Sequence, residues 1–105
     1  MEARFHKRVQ SDLNKIIEHY SSISDSLGHD FYDEFMIGLS NVSGNPRFYH
    51  FDASGLRRCN LHRFPYHFLY DIKGTVVRIW VLRSDKQRPS LGVKRFKKRI
   101  SRFRL

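Results

Sequence analysis

The chain has 105 residues, the usual size of one domain, and its 40% hydrophobic and 14% aromatic content can bury a core, which excludes a disordered tail. Its one cysteine, Cys59, excludes a disulfide framework and a multi-cysteine metal site and fits a reducing cytoplasm. Lys and Arg outnumber Asp and Glu by 20 to 10, so a polyanionic or strongly acidic partner is expected, and no apolar run has the length of a membrane span or a signal-peptide core.

Residues 3–6 read as a short opening strand. From Lys7 the period becomes helical, with Val9, Leu13, Ile16, Ile17 and Tyr20 on one stripe and Ser21, Ser22 and Ser24 as the stop. Asp25 or Ser26 is the expected cap of a second helix, whose stripe is Leu27, Phe31, Phe35, Leu39 and Val42 and whose end is Gly44-Asn45-Pro46. Two amphipathic helices joined by about three residues predict an antiparallel hairpin. Leu56–Phe64 reads as a strand ended by Pro65. Tyr66, Phe68, Tyr70 and Ile72 then alternate with His67, Leu69, Asp71 and Lys73, a period-two strand. Lys73-Gly74-Thr75 predicts a hairpin connection, and the β-branched stretch Val76–Leu82 predicts a central strand that buries Trp80. The expected fold is α+β: strand, helix, helix, then three strands, with the helical hairpin on one face of a small, mostly antiparallel sheet. Residues 1–90 form the domain, and 91–105 a basic tail. Within that tail Val93, Phe96, Ile100 and Phe103 carry helical spacing, which fits a basic amphipathic helix.

Charge is unevenly spread. Residues 1–52 hold five basic and eight acidic side chains, net −3, whereas 53–105 hold fifteen basic residues against Asp71 and Asp85, net +13. The candidate contacts to an anionic partner or nucleic acid therefore lie in the second half: Arg57, Arg58, Arg63, Arg83, Lys86 and Arg88, and in the tail Lys94, Arg95, Lys97, Lys98, Arg99, Arg102 and Arg104. The tail has two readings, docking on the domain through Phe96 and Ile100 or binding a partner. Arg57 and Arg58 alternate along a strand and suit phosphates or carboxylates. Tyr66 and Tyr70 read as packing residues, and Cys59 as an inert buried thiol. His6, His19, His29 and His50 show no metal spacing and read as structural. No metal or cofactor is expected.

The element order, the string Leu56-Arg57-Arg58 with Arg63-Phe64-Pro65-Tyr66-His67-Phe68-Leu69-Tyr70, Asp12-Leu13 in the first helix, Phe35, Leu39 and Asn45-Pro46 in the second, and Val76–Leu82 running into Arg83-Ser84-Asp85-Lys86-Gln87-Arg88-Pro89 resemble the ParE/RelE family of bacterial type II toxins. The likeness covers about residues 3–90. It implies a cytoplasmic toxin neutralised by a small acidic or amphipathic antitoxin. The Phe64-Pro65-Tyr66 turn and Arg88-Pro89 look closer to the ParE-like side, which inhibits DNA gyrase without a hydrolytic centre. RelE-like members instead cut messenger RNA on the ribosome. A plain basic nucleic-acid-binding module is a third reading.

RNA cleavage through the 2′-hydroxyl needs a base, a general acid and cations for the phosphorane charge. If the chain is a nuclease, its centre is expected at His62 and His67 with Arg57, Arg58, Arg63 and Arg83 around them. His67 occupies a sheet position where such nucleases resemble one another in carrying arginine, and no tyrosine follows Tyr70. On this reading His67→Ala separates the activities: a nuclease stops cutting, while a gyrase inhibitor is little changed.

Overall fold

The computed structural model describes residues 1–97, with side chains through Phe96, and the backbone of 103–104. Strand β1 (Glu2–His6) leads directly into α1 (Lys7–Ile23), and α2 (Asp25–Gly44) follows after one residue. Then come β2 (Arg57–Asn60), β3 (Tyr66–Lys73) and β4 (Val76–Ser84), a short α3 (Val93–Lys97) and β5 (Phe103–Arg104). The sheet order is β2-β3-β4-β1-β5, with β1 parallel to β4 and the other pairs antiparallel. This is the expected α+β layout, and β4 is central as its β-branched composition predicts.

The helical stripes bury Val9, Leu13, Phe31, Phe35, Leu39 and Val42 against Cys59, Phe68, Tyr70, Val77, Ile79 and Leu82 of the sheet. A second, smaller layer on the opposite sheet face joins Leu56, Leu69, Trp80 and Val81, with Phe96 of α3 against it. Tyr70 is fully buried and its hydroxyl donates to the Pro46 carbonyl at 2.6 Å.

Several expected boundaries move. Ser21 and Ser22 stay helical: the Ser22 hydroxyl donates back to the His19 carbonyl at 2.6 Å, so it does not break the turn. Ser24 alone links the helices and takes the N-cap position of α2, in place of Asp25 or Ser26, without a side-chain capping bond, and its extended backbone makes the reversal. Gly28 permits so tight a hinge, because a Cβ there would lie 2.0 Å from the Ser21 Oγ. Strand β2 stops at Asn60, short of Phe64, because the next residues bond elsewhere: the Leu61 N–H donates to the Tyr66 carbonyl and the Arg63 N–H to Glu34 of α2. The predicted tail helix is described over Val93–Lys97, and Phe103-Arg104, expected to be helical, instead run antiparallel to β1, whose outer edge they pair. Lys98, Arg99, Ile100 and Arg102 lie outside the described residues. Among the described residues no helix is long and apolar enough to cross a membrane.

One irregularity decides what faces what. Leu69 pairs with Val81, but the next residue, Tyr70, pairs with Ile79, so Trp80 is an extra residue in β4. Before this bulge Val77 and Ile79 face the helices. After it Trp80 and Val81 both belong to the second layer, and Leu82 returns to the helix side. The alternation is thus reset, and Arg83 falls on the face that carries His67 rather than on the helical face.

Candidate functional site

The reset face gathers a charged cluster. His67 on β3 and Arg83 on β4 are register partners, exposed by 1% and 2%. The Arg83 Nε–H donates to His67 Nε2 at 2.9 Å, and an arginine nitrogen can only donate, so Nε2 accepts. The ring proton therefore sits on Nδ1, 2.6 Å from Asp85 Oδ1. Both nitrogens of His67 are engaged within the fold. Arg83 also donates to the carbonyls of Pro89 and Leu91 at 2.7 and 2.8 Å, pinning the loop that follows β4. Arg58 completes the group, 3.4 Å from Asp85 and 3.7 Å from Asp52.

Of the six residues expected to form one centre, the fold unites His67, Arg83 and Arg58. Arg57 points to the other face, donating to the carbonyls of Arg47 and Tyr49 and lying 4.2 Å from the Phe51 ring centroid. Arg63 binds Asp30 of α2 at 2.7 Å. His62 is exposed on the turn after β2 and makes no hydrogen bond with His67 among the described residues. Lys86, Arg88 and Lys94 are exposed, whereas Arg95 pairs with Asp12 at 2.8 Å and donates to the Trp80 carbonyl. The side chains of Lys97, Lys98, Arg99, Arg102 and Arg104 lie outside the described residues.

The carboxylates Asp85 and Asp52 were missed as site residues. A signal for Asp85 exists in the sequence: Asp71 and Asp85 are the only acids after residue 52, so each is a scarce counter-ion among fifteen bases. The fold uses both. Asp71 holds Arg78 and accepts from the Trp80 indole at 3.0 Å. Cys59 is buried, and burial pushes its thiol up to about 11, which makes it inert as expected.

Burial is the largest influence on His67 and lowers its pKa below the ordinary 6.5, with the Arg58 and Arg83 charges adding to it and the Asp85 hydrogen bond opposing. His6 is lowered too, first by burial and then by Arg95, Lys7 and Arg8. Both rings stay neutral in the folded chain while the unfolded chain takes up protons below about pH 6.5. Stability is therefore complete above that pH and is lost as pH falls through the lower folded values. The melting temperature should decline between about pH 7 and pH 5; a flat profile across this window would contradict the neutral assignment.

On the other side of the sheet edge lies a groove of about 380 Å³ between α2 and β2, lined by Ile37, Phe48, Phe51, Arg58 and His62 among others. Its rim leaves large apolar surface in water: Ile37 is 61% exposed, Phe48 70% and Phe51 65%.

No protein-family model matches the chain, and no curated protein matches its sequence. Among solved structures, a chain of the chromosomal ParDE TA system from P. aeruginosa is similar, with a TM-score of 0.70 at 17% identity over 80% of this chain and 95% of that one. The resemblance expected from the sequence to a chain of such a system is borne out in the fold.

Proposed function

We propose that this chain is the toxin of a bacterial type II toxin–antitoxin pair, of ParE type, that arrests growth by inhibiting DNA gyrase. The fold it shares with the ParDE chain supports the toxin reading. One observation favours inhibition over RNA cleavage: both His67 nitrogens are held by Asp85 and Arg83, and the ring is 1% exposed, so it has no lone pair or proton to offer a substrate. His67 is a fastener for the loop after β4, and His67→Ala accordingly tests folding before it tests chemistry.

The antitoxin reading draws support from the groove beside β2. Its exposed Ile37, Phe48 and Phe51 lie next to Arg57 and Arg58, a surface suited to a segment carrying apolar anchors and carboxylates. Such a partner should associate fast, and more slowly as salt rises.

Purified protein should block gyrase supercoiling, and stoichiometric addition of the co-encoded acidic partner should restore it. Messenger RNA cut on translating ribosomes, with supercoiling unaffected, would instead establish the ribonuclease.

A further inference from the structure

Beside the second layer, the loop after β4, the start of α3 and the first turn of α1 enclose a cleft of about 690 Å³. Its charged lining is Arg8, Arg88, Lys94 and Arg95, and among the described residues no carboxylate lines it. Arg95 is neutralised by Asp12. Arg8, Arg88 and Lys94 are exposed and form no ion pair among the described residues, whereas Arg58, Arg63, Arg78 and Arg95 are each matched to an aspartate. Three cations without an ion pair among the described residues thus line one concavity, with Ser54 and Ser90 beside them, and give it a positive lining suited to an anion.

Sequence and lining together specify the anion. In sequence, residues 94–104 carry Lys94, Arg95, Lys97, Lys98, Arg99, Arg102 and Arg104 without one acidic residue, far more charge than a single phosphate needs. Among the described residues no aromatic side chain lines the cleft, and Trp80 of the second layer is 2% exposed, so splayed bases find no stacking platform there. Charge with hydroxyls and without stacking suits the regular phosphates of a duplex. Gly92 shapes the site: at φ +80° it lets the loop lie against Val81, where a Cβ would be 2.6 Å from a Val81 methyl.

We propose that this cleft binds the phosphate backbone of duplex DNA independently of sequence, with Arg8, Arg88 and Lys94 as the contacts. The site is separate from the groove beside β2, and its occupation needs neither gyrase nor an antitoxin.

Fluorescence anisotropy with a labelled DNA duplex tests this on the full chain across a salt series. Changing Arg8, Arg88 and Lys94 together to Ala should flatten the log–log salt slope by about three and weaken binding roughly a hundredfold at about 0.1 M salt. Changing Arg4, Arg47 and Lys73 together to Gln removes the same charge elsewhere and should leave the slope within one of wild type. Equal losses in the two triple variants would reduce the effect to net charge and overturn the site. Tighter binding to a single-stranded oligonucleotide, to polyglutamate or to anionic vesicles than to the duplex would overturn the ligand. Should the first triple variant not fold, Ser90→Asp, an exposed change that puts a carboxylate in the cleft, must weaken duplex binding at least tenfold; unchanged binding would sink the proposal.

Discussion

Arg83→Leu should destabilise the fold by about 3–5 kcal/mol, a large part of what a domain of this size has, and lower the melting temperature by roughly 15 °C or more. The guanidinium is 2% exposed and serves three acceptors at once: His67 Nε2 and the carbonyls of Pro89 and Leu91. Leucine fills part of the volume but leaves those acceptors without a donor, and the loss of a buried donor costs the desolvation of each partner. Arg83→Lys should recover little, because a point ammonium cannot reproduce the planar fork that reaches both a ring nitrogen and two carbonyls. Amide hydrogen exchange should show the loosening concentrated in the loop after β4. If both variants melt within about 2 °C of wild type, the cluster does not fasten that loop.

Gly92→Ala should cost about 2–4 kcal/mol, from two separable sources. The φ of +80° disfavours any residue with a Cβ, by about 1 kcal/mol or more. The new methyl would also stand 2.6 and 2.8 Å from the two Val81 methyls, and overpacking of that kind costs roughly 1–3 kcal/mol. Val81→Ala opens the contact but leaves the backbone strain, so the double variant should be more stable than the sum of the single losses by about 1–2 kcal/mol. Strict additivity in chemical denaturation would show that the loop does not lie against β4 as described. Because Gly92 sits between Arg88 and Lys94, the single variant should also weaken duplex binding at the basic cleft.

Much of this architecture is written in local pattern. The helical stripes from Val9 to Tyr20 and from Leu27 to Val42 required burial on one side whatever lay there, and the three-strand order after Leu56 left a sheet as the surface to bury them. The alternation of Tyr66, Phe68, Tyr70 and Ile72 against His67, Leu69 and Asp71 set the two groups on opposite faces, and the fold turned the first toward the helices. Val76–Leu82 marked the central strand by composition, and the net +13 of residues 53–105 marked the half that carries the basic cleft apart from Arg8. What composition and period could not supply was the partner of each strand. The bulge at Trp80 is a property of two strands together, since it exists only as a mismatch between Leu69–Val81 and Tyr70–Ile79 pairing. Read alone, β4 keeps its period and sends Arg83 to the helical face; paired, it resets and brings Arg83 to His67. The same holds for the tail, whose spacing fits a helix in isolation but whose last residues pair the free edge of β1, about a hundred residues earlier in the chain. Local periodicity thus determined which surfaces are buried, while the cross-strand register, set by hydrogen bonding between segments far apart in sequence, decided which charges meet.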